Sequence, residues 1–258
     1  MTEELQIRVH GDAALPTLIY LPGLHGDWTL MGGLRAALAG QVRFVEFTYP
    51  RTLTWSLDDY ASAVVVKLLE SGITRGWLLG ESFGSQIVWP LVQEGRAFHV
   101  DGAVLAGGFV RHPWVASVRR AQKRFGRMTL ERFTGMFAAY FRFSRFRHRR
   151  LPEIMEGLQE FLARRTEADK AAMTQRLGLI ANNDPRPLAR AATLPVWHLT
   201  GAFDPIVPWL PVQWWLRRNC PGYRGSRVVW LADHNVLATA FRESAGQITR
   251  WMRDGKRN

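Results

Sequence analysis

Residues 77–86 read WLLGESFGSQ. Three bulky apolar residues suit a short buried strand, and the residues from Ser82 onward can open a helix. Between them Gly80, Ser82 and Gly84 fit the pattern Gly-x-Ser-x-Gly, in which a serine sits on a sharp strand-to-helix turn where bulky neighbours two positions away would collide. Such a turn either presents a nucleophile or is a tight packing bend with no chemistry. The rest of the chain has to decide between these.

Further short apolar runs lie to both sides: LQIRV from residue 5, TLIYLP from 17, VRFVEF from 42, GAVLAG from 102, PVWHLT from 195 and RVVWLA from 227. Helical stretches separate them. In SLDDYASAVVVKLLESG (56–72), Ser56 can cap, Asp58 and Asp59 suit the positive N-terminal end, and Gly72 can close the helix. Strands alternating with helices predict an α/β fold with a mostly parallel sheet covered on both faces. Between Arg111 and Ala192 the strand pattern stops and the residues become helical, basic and aromatic. The expected organisation is therefore a core built from 1–110 and 193–258, with a helical, basic cap inserted at 111–192. Pro90, eight residues into the helix after Ser82, should kink or end it.

A serine hydroxyl attacks near neutral pH only if a base removes its proton, and that base needs a third group to orient it. His234, in VVWLADHNVL, follows the last apolar run, where a loop can bring it over the sheet edge. His198 lies inside PVWHLT and reads as a packed strand residue, while His112 and His148 fall in the cap. For the acid, Asp204 in GAFDPIVP follows the run that ends at Thr200. Before a proline it could be a turn former only. Asp233 is nearer to His234 in sequence, but adjacent side chains on an extended segment point apart. Asp184 in NNDP reads as a cap loop.

With PGLHGDW at 22–28, GESFG at 80–84, GAFDPIVP at 201–208 and DHN at 233–235, the sequence resembles the α/β-hydrolase family over nearly its whole length. The order serine, acid, histidine is that family's order. The resemblance implies an α/β-hydrolase fold with an eight-stranded, mostly parallel sheet flanked by helices, and a catalytic triad of Ser82, Asp204 and His234 at the C-terminal strand ends. It also implies an oxyanion hole made by the amide of Phe83 and one from the loop after the third strand, LPGLHGD. That second donor is Leu24 if Pro22 and Gly23 take the place of the His-Gly pair of many relatives, and Asp27 if His25 and Gly26 do. Leu24 is the expected one, because TLIYLPG runs directly from strand into turn. Ser85 departs from the pattern, standing where many relatives have another glycine.

The implied activity is that of a serine esterase cleaving a carboxylic ester through an acyl-enzyme, with no metal or organic cofactor. A thioesterase acting on acyl-carrier or coenzyme A substrates is the alternative, and a non-catalytic binding module on the same scaffold is a second. A serine at the elbow argues against the relatives that displace halide or open epoxides with aspartate.

Composition fits this class. The 258 residues are 47% hydrophobic and 22% charged, ordinary for one large globular domain, and the single cysteine, Cys220, allows neither an intramolecular disulfide nor a cysteine metal cluster. The first residues, MTEELQIRVH, lack the basic flank and apolar run of a secretory signal, so a cytoplasmic protein is expected. The net charge of +12 is concentrated: between Arg111 and Arg150 twelve Lys or Arg stand against one acid, Glu131. Within this segment Phe133, Phe137, Tyr140 and Phe141 recur at helical spacing. They either pack against the core or line an acyl pocket whose basic rim attracts an acidic carrier protein, a carboxylated substrate or an anionic lipid surface. FRFSRFRHRR (141–150) has the composition to bind nucleic acid, but no nucleic-acid module accompanies it, so nucleic acid is not an expected partner.

Overall fold

The computed structural model describes residues 4–93, 97–147 and 159–255, with side chains left undescribed from 141 to 147. Seven strands form one sheet: β1 (Gln6–His10), β2 (Thr17–Leu21), β3 (Arg43–Thr48), β4 (Arg75–Glu81), β5 (His99–Ala106), β6 (Val196–Gly201) and β7 (Tyr223–Val229). Their spatial order is β1-β3-β2-β4-β5-β6-β7. β1 runs antiparallel to β3, and every other pairing is parallel.

The seven strands fall on the seven apolar runs of the sequence, and the eighth strand expected from the resemblance is not among the described residues. No eighth apolar run exists to form it. The loop LPGLHGD consequently follows the second strand, not the third. The last run is also displaced: β7 ends at Val229, and Trp230 and Leu231 stand exposed beyond it. As an edge strand β7 pairs only with β6, so burial does not dictate its bounds as it does for the central strands.

Alternation along the strands sends side chains to two cores. Ile19, Leu21, Val45, Phe47 and Leu78 join one apolar cluster, with residues of α2 (Leu57–Glu70) and α3 (Gly84–Leu91). Leu18, Tyr20, Phe44, Trp77 and Leu79 join the other, with residues of α1 (Gly32–Leu38) and the C-terminal helix Phe241–Asp254. Because both faces are covered, the strands read as continuous apolar runs. His198 is one of these packed strand residues, fully buried, and burial lowers its pKa to about 4.

Helix ends follow the local chemistry. Ser56 and Asp59 form a reciprocal capping box at the start of α2, and Gly72 leaves its end at φ +68°. Pro90 lies in the last turn of α3, which ends one residue later at Leu91. Between β5 and β6 the chain is helical: α4 (Val115–Arg127), α5 (Leu130–Arg147), helical residues 159–163, α6 (Glu167–Asn182) and α7 (Arg186–Ala191). α4 packs against α6. Among the described residues no helix is long and apolar enough to cross a membrane.

The sheet order places the site. From β2 the chain moves outward to β3 on one side, whereas from β4 it moves to β5 on the other, so the direction of winding reverses between β2 and β4. The loops leaving the C-terminal ends of two such strands diverge and open a crevice. Here they are residues 22–27 after β2 and Ser82 after β4.

Candidate active site

Ser82 is the only non-glycine residue with positive φ among the described residues, at +48°. This left-handed backbone is costly for a side-chain-bearing residue and persists where the surroundings enforce it. The enforcement is visible. The Ser82 amide donates to the Ala106 carbonyl at 3.0 Å, and a Cβ at Gly84 would run into the Leu21 carbonyl. At Gly80 a Cβ would stand 2.7 Å from Val88 Cγ2 and 2.9 Å from Ser85 Cα. Both glycines therefore permit α3 to press against β2 and β4. Behind the turn Ser85 is fully buried: its hydroxyl lies 2.6 Å from the Ser82 carbonyl oxygen and accepts from the Phe109 amide at 3.0 Å. A glycine could make neither bond, so the departure from the family pattern adds support to the elbow.

His234 reaches Ser82 from a separation of 152 residues, with Nε2 2.9 Å from Oγ. Its Nδ1 lies 2.8 Å from Asp204 Oδ2. Asp204 is itself held, because Oδ1 accepts from the amides of Ile206 and Val207 at 2.8 and 2.9 Å. The turn former and the partner of His234 are thus one residue using two oxygens. Burial disfavours the charged imidazole, but the Asp204 carboxylate and its hydrogen bond outweigh this and raise the His234 pKa above its ordinary value. Asp233 turns away and accepts from the Asn235 amide at 3.0 Å, and Asp184 pairs with Arg111 and Arg186.

Ser82 and His234 open into a cavity of about 540 Å³ with a largely apolar lining that includes Phe137, Tyr140, Phe161, Met173 and Leu177. Of the four cap aromatics singled out in the sequence, Phe137 and Tyr140 face this cavity. Phe133 does not: it is fully buried behind the wall, edge-on to Phe125 and Phe137, because its turn of α5 packs inward. Phe141 lies in α5, but its side chain is outside the described residues. Burial, then the Asp233 and Asp204 carboxylates, push the Tyr140 phenol well above its usual range, so it remains a proton donor. A larger concavity of about 800 Å³ lies between α4 and α5, but it contains neither Ser82 nor His234.

Several residues at the site escaped the sequence reading. His112 lines the cavity, and burial lowers its pKa to about 4, leaving it neutral at pH 7. Arg176, from α6, is buried and donates to the Leu24 carbonyl at 3.0 Å and the Pro50 carbonyl at 3.2 Å. Its guanidinium fills the space a Cβ would need at Gly26, which has φ +79°. Arg165, also buried, pairs with Asp27 at 2.5 Å. Burial alone would raise the Asp27 pKa, but His25, Arg165 and the Thr29 hydroxyl together hold it at about 2. Two arginines, Arg165 just before α6 and Arg176 within it, therefore grip the loop after β2. Among the described residues no group of three or more His, Cys, Asp or Glu could hold a metal ion.

Comparison with known proteins agrees with this architecture. A family model described as the alpha/beta hydrolase family matches residues 10–246. The fold is similar to an esterase from Exiguobacterium antarcticum (TM-score 0.77, 15% identity, covering 96% of this chain and 95% of that one). It is also similar to a thermophilic esterase from Thermogutta terrifontis (TM-score 0.74, 20% identity, 97% and 93%) and to a hydrolase from Pseudomonas aeruginosa (TM-score 0.78, 14% identity, 96% and 94%). No curated protein sequence matches this one.

Proposed function

The chain belongs to the alpha/beta hydrolase family, and from that premise we propose that it is a serine hydrolase cleaving a carboxylic ester through an acyl-enzyme. The observation that carries this reading is the unbroken hydrogen-bond relay through one imidazole, Ser82 Oγ to His234 Nε2 at 2.9 Å and His234 Nδ1 to Asp204 Oδ2 at 2.8 Å. Ser82 attacks the acyl carbonyl as His234 takes its proton. Asp204 keeps the ring's other proton on Nδ1 and stabilises the imidazolium, which then protonates the leaving alcohol. Water, activated by the same ring, clears the acyl group.

The negative oxygen of the tetrahedral species needs donors, and we assign the amides of Phe83 and Leu24. Neither donates to a protein acceptor among the described residues. Leu24 lines the cavity with Ser82, whereas Asp27 does not, which favours Leu24 as the second donor. In this reading the cap spans 111–192, and Phe137 and Tyr140 belong to the wall against which the acyl group packs.

Labelling by a fluorophosphonate probe, together with hydrolysis of aryl esters of varied acyl length, tests the proposal. A covalent adduct on Ser82, lost in Ser82→Ala along with esterase activity, is expected. An inert wild-type chain would instead favour a binding module on this scaffold.

A second reading has its own support. Arg120, Lys123, Arg124 and Arg127 recur along one face of α4 and, with Arg132, line the 800 Å³ concavity, which shares Met136 with the reaction cavity. None pairs with an acid among the described residues. Like charges at this spacing repel unless an anion neutralises them. A thioester or ester carried on an anionic group, such as an acidic carrier or coenzyme A, would use this face. Raising salt should then increase KM for such a substrate far more than for a small neutral ester.

A further inference from the structure

Beside the nucleophile, two polar side chains converge on Gly23. A Cβ there would stand 3.4 Å from Glu81 Oε2 and 3.4 Å from His25 Nδ1. Glu81 is buried, with 2% of its surface exposed, although it directly precedes Ser82 at the mouth of the elbow. One of its oxygens is committed: Oε2 accepts from the Tyr20 hydroxyl at 2.5 Å, and burial together with the Glu81 charge pushes that phenol well above its usual range, so it stays a donor. The other oxygen, Oε1, is buried and has no partner, and His25 Nε2 is in the same condition. The His25 ring is held edge-on against Phe161 at 5.8 Å. Glu81, His25 and Phe161 all line the cavity that holds Ser82 and His234.

Buried polar atoms are almost always hydrogen-bonded, because leaving one unmet forfeits its hydration with nothing in return. Two such atoms, on residues that line a largely apolar cavity beside the nucleophile, are poor design for a plain alkanoyl group. They suit a substrate that brings its own polar group. A carboxylate oxygen requires a donor, and an imidazole nitrogen can serve as donor or acceptor according to its tautomer. A hydroxyl meets both needs, donating to one partner and accepting from the other.

We infer that Glu81 and His25 form a polar subsite that selects esters bearing a hydroxyl group close to the scissile carbonyl. The hydroxyl donates to Glu81 Oε1 and accepts from His25 Nε2–H, while the rest of the substrate packs on the apolar wall. This inference rests on the reading of Ser82 as the nucleophile and names the substrate class of that site. Sites built to hydrogen-bond a hydroxyl discriminate strongly against the analogue that lacks it, because the protein groups are then left unpaired.

The test compares phenyl esters of 2-hydroxy- and 3-hydroxybutyrate with phenyl butyrate. The wild-type protein should prefer at least one hydroxy ester by about tenfold or more in kcat/KM. In Glu81→Gln and His25→Phe that ratio should fall toward one. A loss common to both substrates cancels from the ratio, so damage to the elbow does not imitate the effect. A wild-type ratio near one for both positions, or a ratio unchanged in both variants, overturns the inference while leaving the hydrolase reading intact. Should no ester be cleaved, the hydrolase reading fails. The subsite is then judged by calorimetric binding of 2- and 3-hydroxybutyramide and of butyramide to Ser82→Ala: preference for a hydroxy compound supports it, and equal binding overturns it.

Discussion

Replacing Asp204 with asparagine exchanges one oxygen for an NH2 group and leaves the shape of the site unchanged. The surrounding donors dictate which way the amide must face. Oδ1 accepts from two backbone amides, at 2.8 Å from Ile206 and 2.9 Å from Val207, so the oxygen of the asparagine is held there. Its NH2 then points at His234 Nδ1, 2.8 Å from the oxygen it replaces. An NH2 group cannot accept a hydrogen bond from Nδ1–H, and the neutral ring must carry its proton on Nε2, the atom that takes the Ser82 proton in the proposed mechanism. A tautomer inversion of this kind costs about 10⁴ in kcat, equivalent to about 5.5 kcal/mol of barrier. Folding stability should change little, because both amides keep their acceptor. The pH profile supplies an independent check. In the wild-type protein the Asp204 carboxylate raises the His234 pKa, and only the neutral ring is a base, so kcat/KM should fall on the acid side from above the ordinary histidine value. Asp204→Asn removes the strongest of the influences that raise the His234 pKa, leaving only Glu81 and Asp233 against burial, and the acid limb of the residual activity should move to lower pH. Hydrolysis of an aryl ester between pH 5 and 9, with urea unfolding as the stability control, reads both effects. Activity within tenfold of wild type, or an acid limb that does not move, would refute the assignment of Asp204 and His234.

Other outcomes follow from the same geometry. Arg176→Met removes the donor to the Leu24 and Pro50 carbonyls, leaving the buried Pro50 acceptor unmet at about 1–3 kcal/mol and the half-buried Leu24 acceptor at less; kcat should drop with little change in KM if the Leu24 amide serves the transition state, and steady-state kinetics beside thermal unfolding separates the two effects. The Asp27 carboxyl is depressed from 3.8 to about 2, so its contribution is present above pH 3.8 and lost as pH falls toward 2; Asp27→Asn should flatten that part of the acid-unfolding curve by about 2 kcal/mol. Gly84→Ala drives a methyl into the Leu21 carbonyl and should abolish activity or folding, whereas Gly135→Ala in α5 meets nothing within 4 Å and should raise stability by about 0.5–1 kcal/mol on urea unfolding.

What the sequence made legible was whatever repeats or sits locally. The inner parallel strands announce themselves as apolar runs because both faces of the sheet are covered there, whereas the edge strands β1 and β7 are only partly buried and β7 is displaced from its run. The capping box at Ser56 and the helix end after Pro90 are equally local. Ser82, Asp204 and His234 could be chosen because each follows a strand, and parallel strands deliver their C-terminal loops to one edge. The eighth strand had no run behind it and rested on the resemblance alone. Phe133 shows the limit of periodicity: helical spacing places it on the same broad face as Phe137 and Tyr140, but only the packing of Phe125 decides that it lies behind the cavity wall and not in it.

The residues that escaped the reading share a different property, which is that their significance is made by a partner far away in the chain. Arg176 meets Leu24 across 152 residues, and Arg165 meets Asp27 across 138. In sequence both arginines are indistinguishable from the solvated cations of a basic helical segment. In the structure both are buried, and burying a guanidinium is costly unless its donors are matched. Here part of the match is the loop after β2, which offers the Leu24 carbonyl to Arg176 and the Asp27 carboxylate to Arg165, and has a glycine at position 26 that makes room, while Arg165 Nη1 stays without a partner among the described residues. The helical segment between β5 and β6 and the loop therefore specify each other: without the arginines the loop would keep unmet acceptors, and without the loop the arginines would be buried charges with fewer partners. This mutual dependence explains how a segment that contributes no strand can still set the position of the Leu24 amide. It also predicts that Arg176→Met and Gly26→Ala, which break the same joint from opposite sides, will be less than additive in their effect on kcat. Full additivity in a double-mutant cycle would show that the joint does not act as a unit.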